Sequence, residues 1–203
     1  MRAVRINFGC FGYVVALVAF SAPAMLAQKV EIETNVDKTA DFSAIRTYAW
    51  LPPPPVIQNV APGAASNPNL TQEVLGPHIV ESVNRQLRAR GLTETDRASA
   101  DVLVAYAAAL TTGFSRTYLG ETYGYVTGWG PPVPLGLAPT VSGNVYEQGT
   151  VVVDVVQRAS NRAIWRGSAV TRVQHGRTLD ERIKRIDDAA KRLFDRFPIR
   201  PRK

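Results

Sequence analysis

Chemistry in a protein needs titratable or nucleophilic side chains gathered at one place, and this chain offers few of them. It has two histidines, His78 and His175. His78 stands three residues before Glu81, a spacing that puts both on one helix face as half of a metal site would require. No second half is visible, so the two read as a surface polar pair and no metal is expected. His175 lies in VQHGRT, with Asp180 and Glu181 shortly after it. A buried acid–base dyad there would be reactive; a solvated turn histidine is the plainer reading. Ser168 in RGSAV lacks the second glycine of a nucleophile elbow. The sequence also shows no phosphate-binding loop, HExxH or dinucleotide fingerprint. Asp154 is the carboxylate out of place, because it interrupts the strand-like run VVVDVV. It either faces solvent or pairs with an arginine such as Arg166 across a hairpin. No catalytic residue is assigned, no cofactor is expected, and the chain does not read as an enzyme.

A different kind of candidate lies in residues 111–143. Phe114, Tyr118, Tyr123, Tyr125 and Trp129 are interleaved there with glycine and proline, in neither helical nor strand period. Aromatics on an adaptable loop commonly serve contacts with partners. Three readings stay open: a contact region, a segment that folds back to cover a sheet face, or a disordered loop.

The elements that must position these groups can be read from periodicity. Residues 29–36, KVEIETNV, alternate apolar and polar side chains as a half-buried strand does. A second short strand, residues 46–51, carries Tyr48 and Trp50 on one parity, so both rings face the same side of a sheet. Trp165 adds a third ring to that layer. Four prolines, 52–55, then stop what reads as an edge strand, and residues 52–70 read as an exposed loop. From about Gly76 the period turns helical through Ile79, Val83 and Leu87, with Pro77 in the first turn and Gly91 as the stop. Residues 101–110, DVLVAYAAAL, are apolar on both parities, as in a strand near a sheet centre. Residues 144–158 and 163–173 form a long hairpin around RASNR. Thr178 and Glu181 make a capping box that opens a helix striped by Leu179, Ile183, Ile186, Ala190, Leu193 and Phe197. The expected fold is α+β: a mainly antiparallel sheet of about five strands with two helices packed on one face.

The chain of 203 residues is long enough for one domain and a leader. Residues 1–27 have the form of a secretory signal peptide: Arg2 and Arg5, an apolar run, and small residues that place cleavage near Ala24 or Ala27. Residues 28–198 then form a single domain, and 199–203 a basic tail. Cys10, the one cysteine, precedes most of the apolar run, where a lipid-modified cysteine would follow it. The mature chain keeps a net charge of about +5, since the leader holds two arginines and no acid. That balance and the tail are compatible with weak peripheral contact to an anionic membrane surface. Nucleic acid is not an expected partner. The expected location is the periplasm or the outer cell envelope.

Three pieces, DFSAIRTYAWLP, the helix leading through RGL to ADVLVAY, and the hairpin TVVVDVVQRASNRAIWRGSA with its capped helix, occur in a specific order and spacing. In these pieces the chain resembles a family of bacterial envelope domains without assigned function, family 4136 among the domains of unknown function. The resemblance spans about residues 30 to 198. It implies an exported domain, often a lipoprotein, with no known activity or catalytic residues, and the position of Cys10 departs from the lipoprotein pattern. The functional expectation is an exported, non-catalytic envelope domain acting on an envelope protein or other surface. The alternative is a periplasmic small-ligand-binding or hydrolytic protein with a pocket between the sheet and the aromatic loop.

Overall fold

The computed structural model describes residues 30–52, 72–111, 118–129, 148–172 and 178–201. The leader with Cys10, prolines 53–55, Phe114, His175 and the last two residues of the tail lie outside these. In chain order the elements are β1 (Glu31–Val36), a 3-10 turn (Phe42–Ala44), β2 (Thr47–Trp50), α1 (Gln72–Ala89), β3 (Thr93–Glu94) and β4 (Val102–Thr111). There follow α2 (Tyr118–Tyr123), β5 (Val126–Thr127), β6 (Gln148–Gln157), β7 (Arg162–Arg172) and α3 (Leu179–Phe194).

The strands make one seven-stranded sheet in the order β1-β7-β6-β4-β2-β3, with β5 also paired to β7. The architecture is α+β as expected, but the sheet is larger than about five strands and it is mixed. The β1–β7, β6–β7 and β4–β6 ladders are antiparallel. β2 runs parallel to both β3 and β4, and β5 parallel to β7. The parallel pairing of β2 follows from connectivity: a helix between two neighbouring strands returns the chain to the same end of the sheet, and α1 does this between β2 and both β3 and β4. The two extra strands, β3 and β5, have two residues each, too few to show a period.

Parity on the long ladders divides the interior. Val102, Val104 and Tyr106 of β4, Val153 and Val155 of β6, and Trp165 of β7 pack with Ile79, Val83 and Leu87 of α1 and Leu193 and Phe194 of α3. On the opposite face Ala105, Ala107, Val152, Val156 and Ala163 pack with Leu119 and Tyr125. Helices α1 and α3 therefore share one face, as read from the sequence, while residues 118–129 cover the other. Burial from both sides explains why β4 is apolar on both parities. The β6–β7 register slips after Val155, which faces Trp165 while Val156 faces Ala163, leaving Ile164 as the bulged residue. Gly167 lets α3 approach β7 closely, since a Cβ there would lie 2.5 Å from the Trp165 ring and 2.7 Å from Leu193.

Helix ends follow local chemistry, with one correction. α1 starts at Gln72, so Pro77 sits inside the helix rather than in its first turn; it leaves the Glu73 carbonyl without its intrahelical donor. The far end is a Schellman turn. Leu92 N–H reaches Leu87 C=O at 3.2 Å, Gly91 N–H reaches Arg88 C=O at 2.9 Å, and Gly91 takes φ +80°. At α3 the Thr178–Glu181 capping box forms as expected. The helix ends at Phe194, and the turn after it buries Phe197 against Phe194 and Trp165, 5.4 and 5.0 Å between ring centroids.

Tyr48 and Trp50 do share the helix-side face, and α1 supplies a common partner. Tyr48 Oη and Trp50 Nε1 both donate to Asn84 Oδ1, at 3.0 and 2.9 Å. Trp50 also meets Tyr106 edge to face at 6.0 Å. Burial pushes the Tyr48 phenol up to about 12, so it stays a donor through the physiological range. β2 is not a full edge strand, because β3 pairs with Thr47 and Tyr48; among the described residues no strand pairs with Ala49 and Trp50 on that side. Replacing Asn84 with Leu should orphan two ring donors and cost about 1–3 kcal/mol of unfolding free energy. An unshifted urea midpoint for Asn84→Leu would show that the two bonds do not hold β2 to α1.

Candidate functional site

The aromatic segment is where residue chemistry and tertiary structure meet. α2 ends in a turn through Gly124, whose φ of +69° suits a residue without a side chain. Its N–H donates to Gly120 C=O at 2.8 Å. The chain then runs beside β7: Val126 N–H reaches Asn161 C=O at 3.4 Å and Gly128 N–H reaches Ala163 C=O at 3.1 Å. Asn161, itself at φ 48° in the hairpin turn, returns a side-chain bond from Nδ2 to Gly124 C=O at 3.0 Å. The Tyr123 hydroxyl donates to Pro52 C=O. Residues 118–129 thus form a strap tied across the second face of the sheet.

Beneath the strap lies a buried polar cluster. Asp154 and Arg166 face each other in the β6–β7 register. Arg166 Nε donates to Asp154 Oδ1 at 2.7 Å and Nη2 to Oδ2 at 2.5 Å, a bidentate pair. The Tyr125 hydroxyl donates to the same Oδ2. Asp154 is fully enclosed, and Arg166 and Tyr125 are 4% and 5% exposed. Trp129 lays its ring over the guanidinium, 6.0 Å from centroid to Cζ. Burial acts to lower the Arg166 pKa, yet the bonds and charge of Asp154 outweigh it and the group is held above its ordinary value. Burial first, then the Asp154 charge, pushes the Tyr125 phenol well above its ordinary range. Neither group changes charge near neutrality, as an acid–base catalyst at that pH would. What the cluster does is fasten the strap.

The other sequence candidates do not join it. Ser168 is buried on the same strand. His78 is half-buried on α1, and its neighbour Glu81 is spent on Arg88 at 2.7 Å and Arg85 at 3.9 Å. Glu181 closes the α3 cap and Asp180 is exposed. Tyr118 opens α2. Among the described residues no three His, Cys, Asp or Glu side chains gather to hold a metal ion, and no helix is long and apolar enough to cross a membrane.

The sequence matches the family described as Domain of unknown function (DUF4136) over residues 32–199. The chain belongs to this family. No curated protein matches it. Among solved structures it is similar to a PDZ domain protein from Parabacteroides distasonis, at 15% identity and a TM-score of 0.50. That likeness covers 86% of this chain and 37% of the other, so the chain spans little more than a third of that protein's length. PelC from Paraburkholderia phytofirmans, solved as a dodecamer, is similar at 8% identity and a TM-score of 0.45, over 86% of this chain and 100% of the other.

Two carboxylates that sequence reading did not single out also hold this DUF4136 domain together. Asp37 follows β1 and is 3% exposed. It accepts from Thr39 N–H at 2.9 Å and Thr39 Oγ1 at 2.6 Å, and Arg162 Nε lies 2.8 Å away. A Cβ on Gly128 would sit 2.3 Å from its carboxylate, so the strap passes close against it. Asp101 accepts from Arg46 N–H, Thr47 N–H and Thr47 Oγ1, each at 2.9 Å, and so staples the start of β2 to the start of β4. The sequence signal for Asp37 was the Asp-Lys-Thr turn; Asp101 gave none, since its donors lie 54 and 55 residues away.

Asp154→Ala strands a buried guanidinium and should cost roughly 3–5 kcal/mol. Tyr125→Phe should cost about 1–3 kcal/mol, and the double change Asp154→Leu, Arg166→Met should cost less than Asp154→Ala alone. Denaturant titration of the three checks the order; a double variant weaker than Asp154→Ala refutes the clamp. The Thr39 bonds hold Asp37 below the ordinary carboxylate pKa, and the Arg46 N–H does the same first for Asp101. A depressed folded-state pKa gives stability that is present above the unfolded value near 4 and lost as pH falls through the folded one. The denaturant midpoint should therefore drop below about pH 4, and drop less in Asp37→Asn, Asp101→Asn. Identical acid profiles for variant and parent would contradict this.

Proposed function

We propose that the protein is an exported, non-catalytic domain of the bacterial cell envelope that acts through protein–protein or surface contacts. The leader-like residues 1–27 and the kinship with DUF4136 support the location. The observation that carries the non-catalytic part is the closure of Asp154. The chain's most unusual carboxylate is fully enclosed and bonded to Arg166 and Tyr125, which leaves it no approach for a substrate. The competing reading needs a pocket between sheet and strap, where Leu119 and Tyr125 already pack on Ala105, Ala107 and Val152. The same packing narrows the contact region first read in the aromatic segment: Tyr125 is an internal anchor, and Val126, 65% exposed, is what the strap turns outward.

Expressing the full chain in a bacterial host tests the location and the mode of action together. Mass spectrometry of the processed protein should find an N-terminus at Met25 or Gln28 in the envelope fraction. Cross-linking in intact cells should then give a reproducible set of envelope proteins. An unprocessed chain in the cytoplasm defeats the location. A turnover abolished by Asp154→Asn in a still-folded protein defeats the contact mechanism.

A further inference from the structure

β1 begins the sheet order, and no strand among the described residues pairs with its outer edge. Asp37 N–H points inward to Ile164 C=O at 2.8 Å, so by the two-residue period the backbone groups of Ile32, Thr34 and Val36 point outward. One of them is engaged by a side chain: Arg196 Nη1 donates to Ile32 C=O at 2.7 Å, in the place where an added strand's N–H would come. An open groove of about 410 Å³ runs there between β1 and the end of α3, lined by Val30, Glu31, Ile32, Arg192, Asp195 and Arg196. Arg192 is exposed and makes no hydrogen bond or ion pair among the described residues.

We infer that this edge accepts an extended acidic segment of another protein as an added strand, read by Arg192 and Arg196. The inference rests on the contact reading above and gives it a surface and a partner chemistry. The incoming backbone pairs with Ile32, Thr34 and Val36, as in other strand additions. Its carboxylate draws Arg196 off the Ile32 carbonyl, which frees that acceptor for the new strand, and Arg192 supplies the second cation. Until then Arg196 blunts the edge, as charged side chains commonly do. A second copy of the chain fits less well. Antiparallel β1–β1 pairing through these outward groups sets Glu33 opposite Glu33, or Glu31 opposite Glu33, in neighbouring registers, and like charges directly opposite are unfavourable.

The probe is a synthetic ten-residue peptide of alternating valine and glutamate, titrated into the processed protein beside its valine–lysine counterpart. The glutamate peptide should bind at least tenfold more tightly and slow amide exchange in β1 at Ile32, Thr34 and Val36. Arg192→Glu with Arg196→Glu should reverse the preference. Thr34→Pro removes an outward N–H without touching charge, and should abolish binding while the denaturant midpoint reports that the fold persists. Equal binding of both peptides, exchange protection away from β1, or dimerisation through β1 in sedimentation each overturns the inference. If envelope cross-links persist in Thr34→Pro, the strand-addition site is refuted while the contact function stands; if they vanish in every variant and the parent alike, the contact function itself has failed.

Discussion

A bidentate arginine–carboxylate pair sits on the second face of the central hairpin, and it requires a cover. Left open to water on a sheet face, Asp154 and Arg166 would be an ordinary surface pair of small energetic consequence. Enclosed, they need every strong bond supplied from protein, and the strap supplies the remainder: a phenol from Tyr125 and an aromatic face from Trp129. The pair thereby decides how residues 118–129 run, and the strap in turn closes the small-residue floor of Ala105, Ala107 and Ala163. The same region is fixed at its edge by Asp37, which engages Arg162 and allows only a glycine at position 128.

The helix-side layer is built on a different principle. There the contacts are apolar and aromatic, with Trp165, Phe194 and Phe197 in mutual contact and α1 lying alongside α3. Polar groups enter at a few points: Asn84 meets both Tyr48 and Trp50, and the buried Arg90 donates to Phe194 C=O at 2.6 Å. A non-directional layer on one side and a directional one on the other serve the same sheet. The first supplies bulk burial; the second selects one conformation for a segment with no periodic pattern of its own.

This division bears on function. Two of the titratable groups that sequence alone marks as candidate chemistry, Asp154 and Glu181, are consumed in holding the fold. The chain's kinship with a family of uncharacterised function adds no activity, and the likeness to solved structures is a likeness of fold.

By itself the sequence determined what depends on neighbours close along the chain. The alternation of β1, the apolar stripe and capping box of α3, the glycine stop of α1 and the facing of Tyr48 with Trp50 all follow from local period and local hydrogen bonding. The Asp154–Arg166 pairing was one of two readings, because a hairpin brings its residues opposite each other at short sequence separation. Tertiary structure alone decided the rest: which strands lie parallel, where two-residue strands form, and whether the aromatic segment faces outward or in. Those outcomes turn on contacts such as Tyr125 with Asp154, 29 residues apart, and Asp101 with Thr47, 54 apart. Such contacts are stabilised only once the sheet exists to bury them, so no local pattern records them.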